Sequence, residues 1–288
     1  MEKKQRVYST KTKIIRGILT LFLVIVAALT VYPLVYIILG SFKENAELLR
    51  GGTNLFPEKF ILDNYKEAWE KANFARYTFN SIVISVGVMC VTLFTTSMAG
   101  DVFARKNFWG KELLYSMFVA FMFVNVGSVT LRPLFELAVK VKMNTSLISI
   151  ILIAAGTAQT THIFLVRGFV NTVPRELDEA AKIDGCTFFQ IYYMIILPLI
   201  KPILSTIALL SFRGGWNEYI MPLVFTMSND KMRPLTVGVN MLKSSGDGTA
   251  AWNLMFAGAT ISIVPIIVIY IFSSKHFMSG MTSGAVKG

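Results

Sequence analysis

Residues 167–202 read RGFVNTVPRELDEAAKIDGCTFFQIYYMIILPLIKP and hold the most informative pattern in the chain. Pro174 suits the first turn of a helix, where the helix dipole also favours the acidic residues that follow it (Glu176, Asp178 and Glu179). Gly185 stands where a glycine would end that helix. A second helical run, 188–196, stops at Leu197-Pro198. The stretch therefore predicts two short helices joined by a sharp turn.

Side-chain spacing within the first of these helices predicts an ion pair and a contact surface. Asp178 and Lys182 are four residues apart, a spacing typical of ion pairs on a helix. Four further residues share one face by helical spacing: Leu177, Ala180, Ala181 and Asp184. The two small alanines on this face would let another protein approach closely. The alternative is a helix that lies on a membrane surface, but such helices usually need a stronger apolar face.

On both sides of residues 167–202 the chain is too apolar for a soluble protein. Hydrophobic residues make up 54% of its 288 residues and charged residues 16%, with a mean hydropathy of +0.57; soluble domains carry about 25% charged residues. A membrane helix needs about 20 apolar residues, and six stretches meet that length: 17–40, 77–100, 113–131, 145–166, 203–226 and 249–274. We therefore predict an all-α integral membrane protein with six transmembrane helices.

The basic residues indicate orientation rather than a nucleic-acid partner. The net charge is +11, and its densest cluster precedes the first apolar stretch: Lys3, Lys4, Arg6, Lys11, Lys13 and Arg16. Such residues flank membrane helices on the cytoplasmic side, so we expect both termini and the loop 167–202 in the cytoplasm. No charge occurs in the 26 residues from Gly17 to Phe42. A signal peptide has a shorter apolar region, of about 7–15 residues, and we expect this segment to be a retained membrane helix.

Three motifs, in order along the chain, resemble one family of membrane proteins. The first is Glu179-Ala180-Ala181 with Gly185 and, further on, Ile195-Ile196-Leu197-Pro198. The second is Trp216-Asn217-Glu218 followed by Pro222-Leu223, and the third is GAVKG at residues 284–288. Together they resemble the permease subunits of binding-protein-dependent ABC importers, in particular the carbohydrate branch that is similar to the six-helix maltose-transporter subunit. The resemblance extends from about residue 14 to the end.

This resemblance implies an ABC importer type I permease with a defined division of the chain. Residues 1–16 would be a cytoplasmic tail and 17–275 the six-helix domain, with its core at 77–275 and a cytoplasmic coupling loop at 167–202. Residues 276–288 would be a second cytoplasmic tail. The protein would lie in the bacterial inner (plasma) membrane as a multi-pass subunit in contact with lipid.

The resemblance also implies partners and the residues that meet them. A second permease subunit, two ATP-binding-cassette subunits and an extracytoplasmic solute-binding protein would complete the importer. Two sets of residues would contact the ATPases: the coupling residues Glu179, Ala180, Ala181, Asp184 and Gly185, and the tail residues Gly284, Lys287 and Gly288. ATP and magnesium would be held by those ATPases, and this chain would bind no cofactor.

Polar residues within the fifth apolar stretch point to a substrate pathway or to a subunit contact. Trp216, Asn217 and Glu218 follow two glycines, which allow close packing or local unwinding. Aromatic and amide groups suit a sugar, but a structural polar contact between subunits is an equal alternative. Arg213 is unusual at this place. It would pair with Glu218, extend towards an interface, or indicate an acidic substrate such as a uronate.

The sequence also excludes several kinds of site. A phosphate-binding GxxxxGK[ST] loop is absent, because Gly110-Lys111 lacks both the preceding glycine and the following Ser or Thr. The two cysteines, Cys90 and Cys186, have no metal-ligand spacing, and no hydrolase motif occurs, so we expect neither a metal site nor an enzyme. Two alternatives to a sugar importer stay open: an ABC permease for another solute, and an ion-coupled secondary transporter.

Overall fold

The computed structural model describes residues 10–51, 54–124, 127–157, 159–245 and 250–285. Over these residues the chain forms α-helices, short 3-10 turns and one π-helical segment, with no strand. The α-helices are α1 Thr10–Gly40, α2 Asn45–Arg50, α3 Asp63–Lys71, α4 Phe74–Arg105, α5 Lys111–Phe121, α6 Leu131–Lys140, α7 Leu147–Thr157, α8 Gln159–Val170, α9 Glu176–Ile183, α10 Phe188–Ile191, α11 Leu197–Leu199, α12 Lys201–Asn217, α13 Ile220–Phe225, α14 Leu235–Leu242 and α15 Trp252–Ala285.

Three of the described helices have the length and apolar composition to cross a membrane: Ile14–Gly40 within α1, α4, and Trp252–Ile271 within α15. Two bent pairs, α7 with α8 and Phe188–Leu199 with α12, raise this number to five if each is one span. The predicted stretch 113–131 corresponds to the shorter helix α5 and a following 3-10 turn. The predicted stretch 203–226 is interrupted, because α12 ends at Asn217 and α13 begins at Ile220.

The chain divides into two compact units. The first unit contains the residues before 69 together with 242–261, and the second contains 69–241 and the residues from 262 onwards. Both candidate sites identified from the sequence, at 167–202 and at 213–218, belong to the second unit.

Asparagine side chains hold the first unit together. Asn64, which is 4% exposed, donates from Nδ2 to the carbonyl oxygen of Ser41 at 2.8 Å, and its Oδ1 accepts from Asn253 Nδ2 at 2.8 Å. Asn45 Oδ1 accepts from the backbone nitrogen of Trp252 at 2.9 Å. These amides satisfy buried backbone groups, as buried polar groups require, and they join the segment after α1 to the start of α15.

The second unit is organised around α4, which packs against α7, α8 and α12. A 32-residue helix is about 48 Å long, so α4 contacts its neighbours at several levels. A Cβ at Gly215 of α12 would lie 2.9 Å from the Cα of Ser85, and a Cβ at Gly100 would lie 2.6 Å from the Cβ of Val166 in α8. Because these two positions have no side chain, α12 can approach the backbone of α4 at Ser85, and the Val166 side chain of α8 can approach the backbone of α4 at Gly100.

Two apolar clusters fill the space between these helices. One lies around Ile84, Val88 and Ile150, together with Phe225 of α13. The other lies around Ala104 at the end of α4 and includes ten buried residues: Ala104, Val166, Val170, Val173, Ala181, Ile191, Ile196, Ile200, Ile203 and Ile207. Because the second cluster contains Ala181, the first helix of the loop 167–202 is part of the packed core.

The first turns of α4 hold the segment that follows α13. Asn80 Nδ2 donates to the carbonyl oxygens of Lys231 and Arg233, both at 2.9 Å, and Ser81 Oγ accepts from the backbone nitrogen of Leu235 at 2.8 Å. This segment leads into α14. Thus α4 is fixed at one end to the 230–235 segment and at the other to the loop 167–202.

The glycine pair of α12 provides a test of this packing. In a helix interior, alanine is intrinsically more favourable than glycine by about 1 kcal/mol of folding free energy. Gly215→Ala nevertheless forces the Ser85 backbone away, and overpacking of this kind costs about 1–3 kcal/mol. We expect Gly215→Ala to lower the temperature of thermal unfolding in detergent. Its matched control is Gly214→Ala, since a Cβ there meets nothing within 4 Å, and its melting temperature should be unchanged or slightly raised. Equal stability of the two variants would contradict the proposed contact.

Candidate coupling site

The helix α9 is seated on the rest of the second unit by its inner face. Ala181 is 5% exposed and packs in the same apolar cluster as Val170 and Val173, which precede α9 in the chain. Ile191 and Ile196, which follow it, complete this seat. Because residues before, within and after α9 are buried in one cluster, the helix is fixed to the helices beneath it and moves with them.

An arginine at the end of α4 holds α9 in place through two groups. Arg105 Nη2 donates to the carbonyl oxygen of Val173 at 2.9 Å, and Arg105 Nε lies 3.3 Å from Asp178 Oδ2. The Arg105 and Asp178 side chains are 7% and 13% exposed, so this ion pair is poorly screened by water. Asp101, one turn earlier in α4, is 2% exposed and lines the same small cleft. The cleft thus holds a second carboxylate beside the Arg105–Asp178 ion pair.

This ion pair replaces the one predicted from helical spacing. The prediction that Asp178 pairs with Lys182 is wrong, because Asp178 points towards α4 and its recorded partner is Arg105. The sequence contained a signal for the true pair, since Arg105 is the first arginine after a long apolar stretch and therefore stands at a helix end. Its partner lies 73 residues away along the chain, and local spacing does not reveal such pairs.

The turn after α9 is fixed by its own backbone and by the next few residues. Gly185 has a φ of +80°, which favours glycine. Its backbone nitrogen donates to Lys182 O at 3.0 Å, and the nitrogen of Cys186 donates to Ala181 O at 2.9 Å. This pair of bonds is a Schellman motif, which satisfies the last carbonyls of a helix. The predicted glycine end of the first helix is confirmed.

A capping box begins the second helix directly after that turn. Thr187 Oγ1 accepts from the backbone nitrogen of Gln190 at 3.4 Å, and Gln190 Oε1 accepts from the backbone nitrogen of Thr187 at 2.7 Å. Lys106, the residue directly after α4, lies over the Phe188 ring, with Nζ 4.2 Å from the ring centroid. Both sides of the turn therefore have their end groups satisfied, and the second side also contacts the residue that ends α4.

The second helix leads into α12 through a π-helical segment and a sharp bend. Residues Tyr192–Ile196 are π-helical, and Tyr192 Oη lies 2.7 Å from Ser97 Oγ of α4. Phe188–Leu199 and α12 meet at an angle of 77° across Ile200, which is fully buried. Pro198 and Pro202 stand on either side of the bend, where the missing N–H groups of proline disturb a helix least. Residues 188–200 thus lead directly into α12.

The outer face of α9 is exposed in the described part of the chain. Six of its residues are exposed: Glu176, Leu177, Glu179, Ala180, Lys182 and Ile183. Ile183 is 87% exposed and Leu177 is 41% exposed. The predicted common face of Leu177, Ala180, Ala181 and Asp184 is therefore wrong for Ala181, which packs inward; Asp184 and Gly185 are exposed like Ala180. Leu177 and Ile183 thus leave apolar surface exposed on this face, next to the small side chain of Ala180.

The residues Trp216, Asn217 and Glu218 have three different environments at the break between α12 and α13. Trp216 is 2% exposed and stacks on Phe212, with 6.0 Å between ring centroids. Asn217 is the last residue of α12 and is exposed. Glu218 is half-buried, its Oε1 accepts from the backbone nitrogen of Met221 at 3.4 Å, and its backbone oxygen accepts from Thr236 Oγ1 at 2.8 Å. Trp216 contributes to packing, and Asn217 faces outward.

The remaining predicted residues lie on the surface of α12 and at the end of the chain. Arg213 is exposed, and among the residues that the structure describes no ion pair joins it to Glu218. Gly284 lies in the last turn of α15, whereas Lys287 and Gly288 are outside the described residues. The predicted contact of this tail with an ATPase stays a prediction.

Comparison with known proteins identifies the family. Residues 92–283 match the family described as the binding-protein-dependent transport system inner membrane component. The chain belongs to this family. The match covers about two thirds of the chain and includes α9, the turn at Gly185 and α12.

Two relatives and one solved structure match almost the whole permease. The arabinooligosaccharides transport system permease protein AraQ of Halalkalibacterium halodurans is 33% identical over 281 residues, 96% of this chain and 98% of that protein. The melibiose/raffinose/stachyose import permease protein MelC of Bacillus subtilis is 30% identical over 282 residues, 97% and 99% of the two chains. A crystal structure of a bacterial ABC transporter involved in the import of the acidic polysaccharide alginate contains a chain with the same fold, with a TM-score of 0.80, 22% identity, and coverage of 95% of this chain and 100% of that one.

These matches confirm the fold and the general function predicted from the sequence. The protein is an all-α permease subunit of an ABC importer, integral to the inner membrane, and it is a transport component rather than an enzyme. It works within a transport system that also includes a solute-binding protein and an ATPase.

The Arg105–Asp178 pair provides a test of how α9 is held. Removing one partner of a buried ion pair costs about 3–5 kcal/mol, because the other charge stays buried and unpaired. We expect Arg105→Gln to speed hydrogen exchange of the α9 backbone amides by at least about tenfold. The double variant Arg105→Gln/Asp178→Asn should recover part of that protection, since neither charge is then left alone.

Arg175→Gln is the matched control for this exchange experiment. Arg175 is exposed and directly precedes α9, and its substitution removes the same charge without disturbing the Arg105 contacts. Its α9 amides should exchange at the wild-type rate. If Arg105→Gln also exchanged at that rate, α9 would be held by its apolar seat alone.

Proposed function

We propose that this permease imports a sugar or oligosaccharide and that α9 is the helix through which an ATPase drives it. Three relatives that match 96% or more of the chain support the cargo, since their names refer to arabinooligosaccharides, to melibiose, raffinose and stachyose, and to starch degradation products. An ABC permease for a non-carbohydrate solute is the alternative cargo. Uptake of radiolabelled sugars by proteoliposomes with the solute-binding protein present distinguishes the two.

The observation that carries the coupling proposal is the opposition between the two faces of α9. Its inner face is buried against the second unit and tied to α4 by Arg105, while its outer face exposes Glu179, Ala180 and Ile183. A helix that transmits force must be rigidly joined to the part it moves and must offer a free surface to the part that moves it. The seat and the exposed face of α9 meet both conditions.

A mechanical path from α9 to α12 follows from these contacts. Arg105 connects α9 to the end of α4, and the Tyr192–Ser97 contact connects the following segment to α4 about two turns earlier. At Gly215, α4 packs directly against α12, which carries Asn217 at its end. In the proposed cycle, closure of two ATPase subunits pushes α9, and α4 and the bend at Ile200 carry that displacement to α12.

The proposed complex contains this chain, a second permease subunit, two ATPases that hold ATP and magnesium, and an extracytoplasmic solute-binding protein. The termini and the loop 167–202 lie in the cytoplasm, with 1–16 and 276–288 as tails around the membrane domain 17–275. The charge of the N-terminal tail supports this orientation. A mild-detergent pull-down of the tagged chain, with its partners identified by mass, tests the composition. Recovery of the chain alone, still active in proteoliposomes without ATP, would favour an ion-coupled transporter.

Ala180 allows the docking surface to be tested without disturbing the fold. Ala180 is exposed, so Ala180→Glu leaves the seat of α9 intact, but the larger charged side chain obstructs close approach of the ATPase. We expect the variant to reach the membrane in normal amount and to lose the ATPase in the pull-down. It should transport at less than about a tenth of the wild-type rate, which is the loss expected if binding of the ATPase is weakened by about 1.4 kcal/mol or more.

Two neighbouring variants serve as controls for Ala180→Glu. Ala180→Ser keeps a small residue at the surface and should transport normally. Ala181→Glu places a charge in the apolar seat and should lower the amount of folded protein itself. Normal ATPase recovery with Ala180→Glu would show that the exposed face of α9 is not the docking surface.

The C-terminal tail is proposed to contact the ATPases through Gly284, Lys287 and Gly288. We expect deletion of residues 282–288 to lower the ATPase activity of the complete complex severalfold while leaving its subunit composition unchanged. Activity is measured with saturating solute-binding protein and sugar. Unchanged activity would indicate a tail without a role in coupling.

A further inference from the structure

Arg213 lies one turn before the end of α12, beside the break that separates α12 from α13. It is twelve residues from Lys201 at the start of α12, which is about 18 Å along a helix, and twelve residues from Phe225 at the end of α13. The hydrocarbon core of a bilayer is about 30 Å thick. A long side chain reaches an interface from positions near the end of a membrane span, whereas Arg213 is midway between residues 201 and 225. If these residues cross the membrane together, the charge of Arg213 requires a partner at that depth.

The chain itself supplies no counter-ion to Arg213 among the residues that the structure describes. Glu218 is the nearest acidic residue in the sequence, but its carboxylate accepts from the Met221 backbone nitrogen, and no ion pair with Arg213 is recorded. An isolated charge in a membrane segment is costly, and such residues generally face a water-filled cavity or a partner. Arg213 is exposed on the surface of α12, so it faces outward from this chain.

The surface around Arg213 is open and carries a second hydrogen-bonding group. A Cβ at Gly214 would meet nothing within 4 Å, which leaves free space beside the arginine. Asn217 follows one turn later on the same face, is exposed, and makes no recorded side-chain hydrogen bond within the described ranges. Residues four apart on a helix have Cβ atoms about 5–6 Å apart. A guanidinium and an amide therefore stand side by side next to a break in the helix.

We propose that Arg213 and Asn217 form a subsite for a carboxylate-bearing sugar, and that the cargo is an oligosaccharide with a uronic acid unit. The guanidinium binds a carboxylate through two parallel hydrogen bonds, and the amide both donates to and accepts from hydroxyl groups. The separation of the two side chains suits a single sugar ring that carries both groups. A neutral sugar would leave the cation of Arg213 without a counter-charge. This inference rests on the proposed sugar-import function.

The test measures ATP-dependent uptake by the complete importer with its solute-binding protein in proteoliposomes. The probes are a panel of uronic-acid oligosaccharides of two to four units, each paired with the same oligosaccharide after reduction of its carboxyl groups to alcohols. The variants are Arg213→Gln, Arg213→Lys and Asn217→Ala. Arg132→Gln is the matched control, because it removes the same charge from a side chain that is 89% exposed and lies on α6.

We expect the wild-type importer to take up at least one acidic oligosaccharide more than tenfold faster than its reduced counterpart. Arg213→Gln should lower that uptake at least tenfold and remove the preference, Arg213→Lys should have an intermediate effect, and Asn217→Ala should slow the acidic and the reduced probe alike. Arg132→Gln should behave as the wild type. The amount of assembled complex should be the same for all of them.

Three results would overturn the proposal. If only the reduced probes were taken up, or if Arg213→Gln left the uptake of the acidic probes unchanged, Arg213 would not bind the carboxylate of the substrate. Loss of the second permease subunit from the Arg213→Gln complex would assign Arg213 to a carboxylate of that partner. Absence of ATP-dependent uptake of every sugar, acidic or neutral, would instead contradict the proposed sugar-import function itself.

Discussion

The close approach of α12 and α8 to α4 is the contact on which the rest of this permease depends. In a bilayer there is no water to drive apolar helices together, so helices associate through tight van der Waals packing and a few polar contacts. Gly215 and Gly100 make that packing possible, because any larger side chain at these positions would meet Ser85 or Val166. The apolar clusters, the seat of α9 and the position of Asn217 all follow from where these two contacts place the helices.

The end of α4 shows how the permease uses charge inside a packed region. Asp101, Arg105 and Asp178 are all largely buried, and burial of charges costs free energy that their mutual attraction only partly restores. Such a group contributes little to overall stability when intact, but it defines one arrangement sharply, since each alternative leaves a charge unpaired. The coupling role proposed for α9 requires this property. A helix in that role returns to the same position in every cycle, and apolar contacts alone would allow it to slide.

Much of the fold could be predicted from the sequence, and the parts that could not share one cause. Composition and apolar length indicated a helical membrane protein, and the spacing of Pro174, the acidic turn and Gly185 located α9 and its end, because these signals are local. The pairing of Asp178 with Arg105 and the inward direction of Ala181 depend on residues far away in the chain. The two glycines before Trp216 allowed for local unwinding, but the place of the break after Asn217 was not predicted, since the end of α12 depends on packing against distant residues.

The turn between α9 and α10 has a consequence for the order in which the chain folds. Its Schellman motif and its capping box use only residues 181–190, so the turn closes without help from distant segments. The part of its seat that lies on α4 and α8 precedes it in the chain and has already been synthesised when it emerges. Contacts between residues close in sequence form fastest. The hairpin of α9 and α10 can therefore dock on α4 before α12 is made, and the ribosome delivers α12 to a scaffold whose end at Arg105 is already in place.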